Sequence, residues 1–225
     1  MIRKIALRTL AAIGVLLVAF IAFFAYEMHR DPELADSFRA VTGHHPKGYQ
    51  ECLNGLAPAA DSNQVSAELE ENCRAAAQAG DPMAQFVMSR IARFHARQDP
   101  GKLPEAIDWL QKAAGQNNTQ AMFDLGVMYL NGDGVETDLQ RARELFTTVA
   151  QRKSPGAQIM LAQMYATGKG VQQDYVQAVA WLTVAIDQGR LKSTDAASVK
   201  AFRDGLTAGM TPEQQKQAKD LASQF

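Results

Sequence analysis

At 225 residues, the chain has room for one anchor plus one repeat array or compact domain with a substantial core. Apolar residues at 47% with aromatics at only 8% suit small-residue helix packing better than a β-sandwich. A formal net charge of −1 gives no electrostatic case for a nucleic-acid partner.

Residues 1–30 read as a cytoplasmic stub and a transmembrane anchor. Arg3, Lys4 and Arg8 precede an uncharged run from Thr9 to Tyr26, rich in Leu, Val, Ile, Phe and Ala. As a helix this run rises roughly 27 Å, close to the ~30 Å of a hydrocarbon core. The basic flank keeps the start cytoplasmic, so a single pass of the inner membrane leaves the bulk of the chain periplasmic. The alternative is a cleaved signal peptide, against which stands Ala22-Phe-Phe-Ala-Tyr-Glu27, with no small-x-small site.

Residues 31–65 form a juxtamembrane segment carrying the first of two cysteines, Cys52; the second is Cys73. A lone pair in an exported chain reads as a disulfide, with two reduced core thiols as the alternative. Closing a loop of ~20 residues contributes about 3 kcal/mol on chain-entropy grounds. His44 and His45 are adjacent and point in different directions, so they read as solvated rather than as metal ligands. No metal or cofactor is expected.

From residue 66 to 190 the chain repeats itself. Ala121, Leu125, Met128, Tyr129, Gly132, Gly134 and Val135 recur 36 residues later as Ala157, Leu161, Met164, Tyr165, Gly168, Gly170 and Val171. The register continues through Asp138 and Asp174, Ala142 and Ala178, then Leu145-Phe146 and Trp181-Leu182. Upstream, Ala106 and Trp109-Leu110 fall 36 before Ala142 and Leu145-Phe146, while Ala84 and Met88 precede Ala121 and Leu125 by 37. Each unit reads as two antiparallel helices. Ala121, Leu125, Met128 and Tyr129 make one buried stripe, and Asn131-Gly-Asp-Gly134 breaks the helix. Thr137 or Asp138 caps the next helix, which runs to about Gln151. One hairpin cannot cover its own stripe, so neighbours stack into an all-α solenoid.

These motifs resemble the Sel-one-like repeat, a relative of the tetratricopeptide repeat. The pattern A-x-x-x-L-G-x-M-Y-x-x-G-x-G-V, followed by D-x-x-x-A-x-x-W/L-F/L, matches residues 121–146 and 157–182 almost throughout. Leu145 stands in for an aromatic and Ala162 for a glycine. Residues 82–115 match more loosely, since Phe94-His-Ala-Arg-Gln-Asp-Pro-Gly101 lacks the Gly-x-Gly-Val turn. Residues 191–225 hold capping helices, with Thr211, Pro212 and Glu213 as the start of the last. The resemblance implies a scaffold that binds another envelope protein, and not an enzyme. Two alternatives stand beside it: a cell-wall or β-lactam hydrolase, which the family also implies, and a dedicated assembly factor of an envelope complex, a narrower form of the scaffold reading. For the first, no S-x-x-K, G-x-S-x-G or H-E-x-x-H is present, and Ser89, Ser154 and His95 read as surface polar residues.

The partner-binding candidates follow from the core stripe. Opposite it lie Asp124, Val127 and Asn131; register adds Met160, Gln163 and Thr167, and Val87, Arg90 and Phe94. These nine positions differ between repeats where the core positions match. An ordinary solvated face is the alternative, against which Val87, Phe94, Val127 and Met160 are apolar.

Overall fold

A computed structural model of the chain describes Cys52 and residues 67–191 and 193–225. The proposed anchor, residues 9–26, lies outside them, as do His44 and His45. Among the described residues no helix is long and apolar enough to cross a membrane.

The helices are α1 (Ala67–Gln78), α2 (Pro82–Ala96), α3 (Leu103–Gly115), α4 (Thr119–Asn131), α5 (Leu139–Gln151), α6 (Pro155–Thr167), α7 (Tyr175–Asp187), α8 (Ser193–Ala208) and α9 (Pro212–Ala222). Consecutive helices pack as hairpins, α2 on α3, α4 on α5 and α6 on α7, and each hairpin packs on the next. The three first helices, α2, α4 and α6, start at equivalent polar residues: Asp81, Asn118 and Ser154. Asp81 and Asn118 accept from backbone N–H groups of the first turn, satisfying donors that a helix start leaves orphaned. The second helices of the last two hairpins are capped in the same way by Asp138 and Asp174. Of the two residues read as the α5 cap, Asp138 therefore does it; Thr137 instead places its hydroxyl beside Gly132.

Two kinds of turn alternate. Within the last two hairpins, Gly132 and Gly168 end their helices with left-handed backbones of φ 78° and 74°. Gly134 and Gly170 are left-handed too, and each sits against the preceding hairpin. A Cβ on Gly134 would lie 2.7 Å from a Leu103 methyl; one on Gly170 would lie 2.6 Å from the Leu139 Cβ. Between hairpins, one position at 36- or 37-residue spacing is left-handed each time: Gly80, Asn117, Lys153 and Gly189. Arg152 donates to the Asn117 carbonyl and Arg190 to the Lys153 carbonyl, bracing equivalent turns.

The core runs through the stack. Cys73, Leu110, Phe146 and Leu182 hold one register position and are each 0% exposed. Burying each of the three apolar side chains is worth roughly 1.5–3 kcal/mol. This register makes α1 the second helix of a further hairpin, with Cys73 where the others carry Leu or Phe. Cys73 is bonded to Cys52, Cα atoms 4.7 Å apart. The pair packs with Leu69, Val87, Met88, Ile91 and Trp109 in a separate N-terminal cluster.

Neighbouring side chains trade volume across the repeats. Gly126 packs on the Phe146 ring, whose Cε1 would lie 2.8 Å from an added Cβ. The same two places hold Ala162 with Leu182, and Ser89 with Leu110, all buried. The departure from glycine at Ala162 thus accompanies a smaller partner. At the C-terminal end, Thr211 and Gln214 form a capping box with Pro212 in the first turn. The last helix packs on α7 through Ala218, Met210 and Val179, and Phe225 stacks on Trp181 at 3.9 Å.

Candidate protein-binding groove

The first helices of the three hairpins stand side by side and present one face away from α3, α5 and α7. On α4 this face carries the expected stripe: Asp124 and Val127 are half-buried and Asn131 is exposed. On α6, Met160 is half-buried and Gln163 and Thr167 are exposed. On α2 the expectation is only partly met. Arg90 is exposed and Phe94 half-buried, but Val87 is 3% exposed and belongs to the cluster around the disulfide. Val87 packs there with Cys52, Leu69 and Cys73, and this packing accounts for its burial. Val127 and Met160 also pack against the core, so part of their apolar character serves the fold.

Across this face runs a groove of about 500 Å³, lined by Phe86, Thr119, Gln120, Phe123, Asp124, Ser154 and Gly156. It spans α2, the start of α4 and the start of α6, so it exists only because hairpins stack. Phe86 and Phe123 hold one register position, and Ile159 is their counterpart on α6; all three are half-buried. Gly156 leaves the Phe123 ring open: a Cβ there would rest 3.4 Å from it, in ordinary contact. Behind, Phe123 lies on Phe146 with ring centroids 5.6 Å apart, so its own position is fixed by the core.

Of the nine candidates, Asp124 alone lines the groove. Its side chain is 30% exposed and stands 3.8 Å from Arg93 of α2. Burial pushes the Asp124 carboxyl above the ordinary carboxylate range, against the opposing pull of Arg93 and Arg90. The groove residues Phe86 and Phe123 escaped the sequence reading because they sit one helical position beside the stripe opposite the core, and Gly156 because it lies one turn before Met160. The available signal was that positions 86, 123 and 159 are apolar in all three repeats.

The three residues read as surface polar groups sit differently. Ser89 is 1% exposed and donates to the Phe86 carbonyl, so it is a core residue in the place of Gly126. Ser154 starts α6 and lines the groove. His95 lies 3.8 Å from Glu70 and beside Phe94.

Residues 82–118, 119–152 and 155–189 each match the Sel1 repeat family. The chain carries three Sel1 repeats. Their boundaries are the three hairpins, so the groove is a feature of the Sel1 array rather than of any one repeat. By sequence the chain is similar to the alginate biosynthesis protein AlgK of Azotobacter vinelandii, 30% identical over 115 residues, or 50% of this chain and 24% of AlgK. By structure it is similar to an SLR-fold protective antigen of uropathogenic Escherichia coli. There the TM-score is 0.61 at 28% identity, over 71% of this chain and 33% of the antigen. It is also similar to a Sel1 repeat protein from Oxalobacter formigenes, TM-score 0.50 at 31% identity, over 60% of this chain and 38% of that one. The chain spans about a quarter of the length of AlgK and about a third of each solved structure.

Proposed function

We propose that this chain is a non-enzymatic protein-binding scaffold of the bacterial cell envelope, tethered to the inner membrane by residues 9–26. The observation that carries the reading is the groove across α2, α4 and α6. It pairs open aromatic surface from Phe86 and Phe123 with polar rims, the composition of a protein-docking surface. It is shaped by three stacked hairpins, so its form depends on an intact array. The Cys52–Cys73 bond supports an oxidising compartment, in agreement with export past a basic N-terminal flank. Likeness to a bacterial Sel1 repeat protein and to a bacterial alginate biosynthesis protein supports a bacterial setting.

Filling the groove tests the binding role. Gly156→Gln places a side chain over Phe123 while improving helix propensity, so the array stays folded. Full-length protein purified from its own membranes should bring down a discrete partner, and the Gly156→Gln variant should lose it. The control is Glu144→Gln on the opposite, exposed side of α5, which should keep it. Equal capture by all three would place docking elsewhere. The tether is tested separately: a C-terminal phosphatase fusion should be active, and a mature N-terminus near residue 26 would contradict it.

A further inference from the structure

The charge beside the groove is not balanced. Phe86, Arg90 and Arg93 on α2, and Arg97 just past its end, follow one another at spacings of four, three and four residues, one continuous stripe. All three arginines are exposed. Arg93 has Asp124 at 3.8 Å, a contact too long for a hydrogen bond. Arg97 lies over the Phe94 ring at 5.9 Å. Arg90 has no ion pair among the described residues, though its charge acts on Asp124. On α4 and α6 the same face is otherwise uncharged: Gln120, Asn131, Gly156, Gln163 and Thr167. Phe86 of the groove thus shares its helix face with a basic row that stands just outside the lining, whose one charged member is Asp124.

We propose that the partner segment received by this groove is acidic and apolar together. Its apolar side chain lies between Phe86 and Phe123, and a neighbouring Asp or Glu pairs with Arg90 and Arg93. This rests on the groove being a protein-docking site and goes further, to the chemistry of the partner. Guanidinium groups present a fork that matches a carboxylate, and both arginines are anchored on a helix rather than on a loop. The spacing suits one short segment, because Arg90 stands one turn along α2 from Phe86. A basic segment would meet three guanidiniums of like charge, and the groove's own carboxylate, Asp124, already lies beside Arg93.

The test is selection of random displayed peptides of about a dozen residues on the full chain held in detergent micelles. Enriched peptides should carry Asp or Glu next to Phe, Leu, Ile or Trp. Affinity measured by fluorescence polarisation should fall about tenfold or more in Arg90→Glu/Arg93→Glu, as expected for losing charge-assisted pairs, and less in Arg90→Gln/Arg93→Gln. Both variants alter exposed side chains, and an unchanged thermal melt verifies folding. Peptides lost to Gly156→Gln but free of acidic bias would overturn the partner class and leave the docking groove standing. Enrichment of basic peptides would overturn it equally. Peptides unaffected by Gly156→Gln, or no enrichment at all, would remove the groove itself and the proposal with it.

Discussion

The junction between the second and third Sel1 repeats and the N-terminal end of the array solve one problem by different chemistry. At the junction, Gly170 brings a loop so close to Leu139 that no side chain fits, and helices meet through Phe146, Leu161 and Leu182. At the N-terminal end there is no Gly-x-Gly turn. Here α2 runs on to Ala96, Asp99 caps a short 3-10 turn over Pro100–Lys102, and a Cβ on Gly101 would meet only Asp99. Helix α1, whose Cys73 is bonded to Cys52, packs on α2 through Leu69, Ala76 and Ala77, and Arg74 reaches across to Glu105 on α3. The comparison teaches that the second glycine of each loop is required by the neighbouring hairpin as well as by the turn.

Removing the covalent link breaks the comparison hardest. Cys73→Ala should destabilise the N-terminal cluster by about 3 kcal/mol, visible as a lower first melting transition. Tyr129 and Tyr165, in the later repeats, should keep their near-ultraviolet signal. A fall shared equally by all repeats would show that the array melts as one unit.

The loop glycine comes next. Gly170→Ala combines a positive φ with contact on the Leu139 backbone and should cost about 2 kcal/mol in a chemical denaturation curve. Gly101→Ala, where φ is not left-handed and the only neighbour is the Asp99 side chain, should cost far less. Equal costs would mean that the approach to the neighbouring hairpin is unimportant.

Gly126→Ala sharpens the volume exchange. Its Cβ meets Phe146, which is 0% exposed and has Phe123 in tilted contact. The clash outweighs the gain in helix propensity, for a net loss of about 1 kcal/mol. Phe146→Leu in the same chain recreates the Ala162/Leu182 pair and should recover stability relative to the sum of the single changes. A double-mutant cycle with no coupling would contradict this.

The smallest effect concerns Asp124. Burial raises its folded pKa, so the folded chain holds this proton more tightly than the unfolded chain. Stability attributable to Asp124 therefore falls as pH rises above the ordinary carboxylate value. Asp124→Asn removes that slope. The variant should gain on the parent as pH rises toward neutrality, and the two should converge as pH falls. A gap that widens on acidification would reverse the assignment.

Most of the array was legible because its signals are short-range and repeated. Gly132, Gly134, Gly168 and Gly170 mark turns by backbone chemistry alone, and Ala121, Leu125 and Met128 recur with their partners. The register of α1, the helix before the first hairpin, is harder to read because Cys73 stands where the later hairpins carry Leu or Phe. The burial of Val87 was hidden likewise, because Cys52, Leu69 and Cys73, which pack on it, lie outside the three repeats. The groove depends on which side chains stay open after stacking. Phe123 is apolar whether buried or not, and only Gly156, 33 residues away in sequence, leaves its ring accessible.

The central claim, that the face formed by α2, α4 and α6 docks another protein, has a direct measurement. A photoreactive benzoylphenylalanine is placed at Gln120, on the groove, and separately at Glu144, on the opposite side. Both positions are exposed, so the substitutions leave the fold intact. Irradiating living cells should give a discrete cross-linked band from position 120, absent when Gly156→Gln fills the groove, and none from position 144. A band from position 144 alone, or one from position 120 that survives Gly156→Gln, would contradict the account.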